Sequence, residues 1–213
     1  MEDLVLIGAG GFAREVLWLI DQLNAVRPTW NVLGFVVDEQ YVASEVEARV
    51  PVISSLEAYA DWPRVRAVCA IGAPRERRDV VLRAEGKGAR WATVVHPTAT
   101  IGPGSSVGEG CILCAASGVT AGCRVGKHVV FNFYSGAGHD ARIGDFCTLS
   151  GHADITGHAV LEEGVFVGSH GVVLPRAHVG AWATVGAGSV VLRSVPPGAT
   201  VFGVPAKVIN PEE

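Results

Sequence analysis

The sequence predicts a small α/β unit of βαβ type followed by a parallel β-helix. Two observations carry that prediction. Through residues 1–95, short apolar runs alternate with helical patterns, and the runs close on Gly8, Asp38 and Gly72. From residue 96 onward the texture changes to a period of six, unbroken from Ile101 to Val191.

The first run, Leu4–Ile7, is β-rich and leads into Gly8-Ala9-Gly10-Gly11-Phe12-Ala13, after which Val16, Leu19, Ile20 and Leu23 line one face of a helix. A second strand spans Val32–Val37 and ends at Asp38. A third spans Ala67–Ile71, ends at Gly72 and feeds a polar helix, Arg75–Arg83. The glycines match the G-x-G-x-x-G/A dinucleotide pattern, and Asp38 lies about where a ribose-binding acid falls, so the unit reads as Rossmann-like. Glycines let the backbone approach a phosphate, and the helix start offers free N–H groups and a positive dipole end. The unit is too short to hold a second mononucleotide-binding half, so a mononucleotide or nucleotide sugar suits it better than NAD.

In the second part, every sixth residue from Ile101 through Val107 and Leu113 to Val191 is Ile, Leu or Val, except Phe131 and Ala137. Four residues after each stands a small or β-branched residue, among them Cys111, Cys123, Cys147 and Ala159. Glycine often follows the aliphatic position directly, as at Gly102, Gly144 and Gly180, where it is expected to relieve a bend. A period of six fits neither a helix nor a flat strand, but it fits a chain that turns a corner every six residues. Three edges make a coil of 18, so about five coils stack into one column of buried side chains. That spacing puts His139 under Gly157, Asp140 under His158, and His152 under His170.

Composition narrows the function. The 213 residues are 49% hydrophobic and 18% charged, enough for a real core, and the net charge of -4 leaves no basic footprint for nucleic acid. Met1-Glu2-Asp3 is not a signal peptide, no apolar stretch suits a membrane span, and five cysteines without CxxC spacing point to reduced thiols in a cytoplasm.

The chain from Leu4 to Ile209 resembles the sugar O- and N-acyltransferases of the sialic acid and bacillosamine pathway type. The resemblance rests on Gly8–Arg14, the strand ending at Asp38, Asn132 followed seven residues later by His139-Asp140, and the closing Phe202-Gly203-Val204-Pro205-Ala206-Lys207. It implies a Rossmann-like nucleotide-sugar domain over 1–95 and a left-handed β-helix acyltransferase domain with its tail over 96–213. It implies acetyl-CoA as co-substrate, no metal, and a homotrimer with active sites between subunits. His139 takes the part of general base, and Asp140 raises its basicity, because a carboxylate favours the imidazolium. Relatives often carry an acid just before the histidine; here that position is Gly138, so Asp140 is the only adjacent acid. The N–H of Gly157 is expected to stabilise the oxyanion. Coenzyme A contacts carry over to Thr148, Ser169 and Ala187, and the nucleotide sugar to Gly10, Gly11, Phe12 and Asp38.

N-acetylation of a nucleotide-linked amino sugar is the expected reaction, with O-acetylation of a sugar as the alternative. Two other classes compete. A γ-class carbonic anhydrase would hold a metal through histidines such as His152, His158 and His170, but lacks the N-terminal domain. A non-catalytic trimeric binding protein would make His139-Asp140 incidental.

Overall fold

The computed structural model describes residues 1–42 and 47–209. It divides into two compact units, Met1–Pro97 and Thr98–Glu213. The last four residues of the expected tail lie outside the described residues, and no described helix is long and apolar enough to cross a membrane.

The first unit is a five-stranded parallel sheet in the order β3-β2-β1-β4-β5, with β1 Glu2–Ile7, β2 Trp30–Val37, β3 Val52–Ser55, β4 Arg66–Cys69 and β5 Arg90–Trp91. Leu4, Val5, Leu6 and Ile7 are all buried, which is why β1 past its exposed Glu2 and Asp3 is a continuous apolar run and does not alternate. Helix α1, Gly11–Val26, buries Ala13, Val16, Leu17, Leu19 and Ile20. Helix α2, Pro74–Glu85, buries Val80, Val81 and Ala84 through an otherwise charged sequence. The chain runs outward from β1 to β3 and then returns to place β4 on the other side of β1. Ligands of open α/β sheets bind at such a switch, beyond the carboxyl ends of the strands.

The second unit is a left-handed β-helix with two-residue rungs. Val119 pairs with Ala137, Ala137 with Ile155, Ile155 with Val173 and Val173 with Val191, always 18 residues apart and always parallel. The aliphatic column is buried from Leu113 to Val191, whereas Ile101, on the first rung, is 46% exposed. Cys111, Cys123 and Cys147 are buried in the small inward positions. Just past Val191 the register shortens from 18 to 16, pairing Val179 with Val195 and Val185 with Val201. An antiparallel hairpin, Val201 with Val208 and Phe202 with Lys207, follows.

The structure relocates the bend. Positive φ recurs every six residues at the third position after the aliphatic one, not at the glycine directly after it. These corners run Gly104, Gly110, Ala116, Gly122, His128, Tyr134, Asp140 and onward to Gly188. The glycines after the aliphatic residue serve close approach between coils. A Cβ on Gly102 would lie 2.7 Å from the Thr120 carbonyl carbon, and one on Gly144 would lie 2.7 Å from that of Glu162. Ten corners hold side chains in this left-handed conformation, at roughly 1–2 kcal/mol each before compensation by stacking. Asp and His tolerate it better than most residues. His128, His152, His158 and His170, four of the seven histidines, stand at these corners.

Candidate active site

In the first unit, the loops after β1, β2 and β4 surround a cavity of about 550 Å³. Gly8, Ala9 and Gly10 form one wall, Val37 and Asp38 another, and Ile71 a third, with Glu76, Asp79 and Val80 arriving from α2. Gly8 has φ +96° and packs against the Ala70 carbonyl, so glycine is required there. Gly10 and Gly11 differ: a Cβ on either meets nothing within 4 Å. Gly10 is the N-cap of α1 and offers no side-chain cap, leaving the first N–H groups of the helix without that partner. Phe12 is half-buried and does not line the cavity.

Asp38 lines the cavity but is not free. The Arg83 guanidinium donates to its Oδ1 at 2.7 Å, also pairs with Glu57, and lies 3.5 Å from Asp79. Hydrogen bonds to Asp38 and then Glu57 hold the Arg83 pKa above its already high value, and the same contact lowers that of Glu57. Sequence reasoning missed Arg83 and its neighbours. Their signal is helical: Glu76, Asp79, Val80 and Arg83 recur at spacings of three and four on one face of α2.

In the β-helix, the expected stack brings three residues together. The rung ending at Ala137 leads to His139, and Asp140 follows as the corner, with φ +60°. His139 Nδ1 lies 2.9 Å from Asp140 Oδ2. Asp140 accepts from this nitrogen, so the ring keeps its lone pair on Nε2. The Asp140 pKa is lowered, first by that hydrogen bond and then by the nearby charge of His158 when protonated. His158, one coil on, sets its Nε2 3.7 Å from the same Oδ2, with the two imidazoles edge to face at 5.0 Å. The ligand atoms of His139, Asp140 and His158 all lie within 4.8 Å of one another.

Gly157 completes the site from the coil above. A Cβ there would lie 2.6 Å from His139 Nε2, so glycine makes room for the imidazole. Its N–H has no hydrogen-bond partner among the described residues. A Cβ on Gly138, the position just before the histidine, would come within 2.8 Å of the Gly157 nitrogen. The fold leaves no room for an acid there without a shift.

Ser169 and Ala187 are exposed and one coil apart, each just before the corner that holds His170 and Gly188. That corner is a different edge of the coil from the one at Asp140. Thr148 is separate again, on a rung and 5% exposed. The three histidines of the carbonic anhydrase alternative do not converge. His152 and His170 stack face to face at 4.7 Å and 5°, with Tyr134 stacked below, whereas His158 belongs to the Asp140 corner.

The family model described as the PglD N-terminal domain matches residues 3–84. PerB from Caulobacter crescentus, solved in complex with CoA and GDP-perosamine, is 30% identical, covers 99% of this chain and 98% of its own, and superposes with a TM-score of 0.87. The acetyltransferase domain of PglB from Neisseria gonorrhoeae FA1090, solved in complex with acetyl coenzyme A, is 28% identical over 98% of this chain and 99% of its own, with a TM-score of 0.85. GDP-perosamine N-acetyltransferase of Escherichia coli O157:H7 is 27% identical over 208 residues, 95% of this chain and 94% of that one. Serine acetyltransferase of Buchnera aphidicola is 36% identical over 113 residues, and the match covers 52% of this chain but only 40% of that enzyme's length.

Proposed function

The chain belongs to the sugar acyltransferases of the left-handed β-helix, hexapeptide-repeat family, and from that membership we propose that it transfers the acetyl group of acetyl-CoA to the amine of a nucleotide-linked sugar. The observation that carries the proposal is the His139–Asp140 contact. With Nδ1–H given to the carboxylate, Nε2 is the only ring nitrogen able to take a proton. As the sugar nitrogen forms its bond to the thioester carbon, Nε2 accepts the proton that nitrogen loses. The carbonyl oxygen gains charge as its π bond opens, accepts a hydrogen bond from the Gly157 N–H, and re-forms the carbonyl as the thiol departs. When the C–S bond breaks, the thiolate leaves with the proton that His139 held, and the base is restored. No covalent acyl-enzyme is formed, so the five buried cysteines take no part.

Acetyl-CoA as co-substrate follows from the relatives solved with CoA and with acetyl coenzyme A. We assign its pantetheine to the exposed Ser169–Ala187 column. Because the base stands at another edge of the coil, one chain's His139 is served by a neighbour's coenzyme, which favours a homotrimer with sites between subunits. Thr148, on a rung and 5% exposed, is not part of that exposed column. The nucleotide belongs in the cavity of the first unit, whose volume suits a ligand of that size. Its diphosphate meets the open helix start at Gly10, Gly11 and Phe12. The carboxylates of Asp38 and Glu76 suit the N–H groups of a base and ribose hydroxyls.

A panel of UDP-, dTDP- and GDP-linked 4-amino sugars, assayed for acetyl-CoA-dependent release of thiol and for the acetylated product, tests the proposal. One of them should be acetylated on nitrogen, and the GDP sugar is the first to try, given the perosamine relatives. Acetylation of a hydroxyl alone would replace the amine with an alcohol acceptor at the same base. Loss of acetyl-CoA with no sugar modified would overturn the assignment.

A further inference from the structure

We propose that His139, Asp140 and His158 form a binding site for a divalent transition-metal ion of the zinc type, and that an ion seated there switches the base off. The second half of this proposal rests on the role given to His139 above. His139 Nδ1 and Asp140 Oδ2 are 2.9 Å apart, Oδ2 and His158 Nε2 are 3.7 Å apart, and all three ligand atoms lie within 4.8 Å of one another. Zinc binds imidazole nitrogen and carboxylate oxygen at about 2.0–2.2 Å, so ligand atoms around it stand roughly 3.3–3.5 Å apart. The observed separations bracket that value. Small rotations of exposed side chains close the difference, and water fills the fourth position.

The backbone beneath is already fixed. Asp140 and His158 occupy successive corners of one column, with φ +60° and +59°, and the His158 N–H donates to the His139 carbonyl at 2.9 Å. The edge-to-face rings, at 88°, let lone pairs in two different planes converge on one point. The other histidine pair shows the contrast: His152 and His170 lie parallel at 5°, so their in-plane lone pairs do not converge. Two imidazoles with one carboxylate select zinc or its neighbours over magnesium and calcium, which prefer all-oxygen shells. All five cysteines, the stronger zinc ligands, are buried and do not compete.

The chemical consequence follows from the tautomer. In the ion-free site, Nδ1 carries the proton and Asp140 accepts it, leaving Nε2 as the base. For an ion to bind Nδ1 that proton must first leave it, and the neutral ring's one N–H, exchanged through solvent, then sits on Nε2. Nε2 then donates and cannot accept a proton from the incoming amine. The site therefore has two exclusive states, one hydrogen-bonded and active, one metal-bound and inactive.

The test is calorimetric titration of the full-length protein with zinc ion alone, paired with initial rates of acetylated-sugar formation over a zinc series. Product rather than thiol is followed, because CoA thiol binds zinc. The wild type should bind about one ion per chain and lose turnover as it does so. His158→Asn keeps a residue that tolerates the corner conformation. Measured against its own zinc-free rate, it should need about tenfold or more zinc for both binding and inhibition. His152→Asn should match the wild type in both. Equal zinc binding by wild type and His158→Asn overturns the site, and so does saturation of the site with turnover unchanged. Calorimetry needs no sugar, so zinc binding lost in His158→Asn alongside absent acetylation by the wild type upholds the site and overturns the proposed reaction instead.

Discussion

At the scale of single residues, the account turns on one imidazole and what surrounds it. His139→Ala should lower turnover about 10²–10⁴-fold, the usual worth of a positioned acid–base group, with far-UV circular dichroism unchanged. Asp140 stays ionised below the usual carboxylate range because His139 donates to it, so it is charged throughout the working pH range. Asp140→Asn should lower turnover less than His139→Ala, because the amide oxygen can still accept from Nδ1 and hold the ring while the charge is lost. Wild-type turnover in Asp140→Asn would show that Asp140 does not act through the histidine. Gly157→Ala places a methyl where the His139 ring now sits, 2.6 Å from Nε2. Turnover should fall by at least about tenfold with stability little changed, since the ring is exposed and can swing away. Burial raises the Cys69 thiol to about 12, and the other four cysteines are buried as well, so none of the five should consume a thiol reagent before unfolding.

At the scale of the element, the corner is the repeating unit that decides stability. Ala116 has φ +56° and is exposed. Ala116→Val, a β-branched residue forced into the left-handed region, should cost about 2 kcal/mol or more in urea unfolding, whereas Ala116→Gly should cost nothing or stabilise. The period of six made the coil legible in sequence because every sixth position from Leu113 to Val191 is apolar, and is Ile, Leu or Val at all but Phe131 and Ala137. The offset of 18 then placed Asp140 beside His158 and His152 beside His170. Other features left no such trace. The strand Val52–Ser55 is four residues long, ends in two serines and forms a sheet edge, so nothing periodic marks it. The bend expected at Gly102 falls at Gly104 because glycine serves two needs here, bending at Gly104 and close approach at Gly102, and composition alone does not separate them. The Arg83–Asp38 pair joins residues 45 apart and exists only once α2 lies along the cavity.

At the scale of the whole molecule, the proposed division of labour makes the two ligands separable. Gly10 has open space around it and an ordinary φ of -75°, so Gly10→Val should fold normally and lose the nucleotide sugar through collision with its phosphates alone. Asp38→Ala should weaken that ligand by about 1.5–3 kcal/mol, the range for hydrogen bonds to a charged group, and leaves Arg83 to the carboxylates of Glu57 and Asp79. Calorimetry should find acetyl-CoA binding unchanged in both variants; a parallel loss of the coenzyme would mean the sites are not separate. Light scattering should give three times the 22.2 kDa chain mass, and a fully active monomer would contradict a site shared between neighbours. The most direct test of the central claim is steady-state acetylation of the accepted nucleotide amino sugar by wild type and His139→Ala at saturating substrates. The account predicts N-acetylated product with the wild type, and a 10²–10⁴-fold lower kcat with both ligands still bound by the variant. Near-normal kcat in His139→Ala would contradict it.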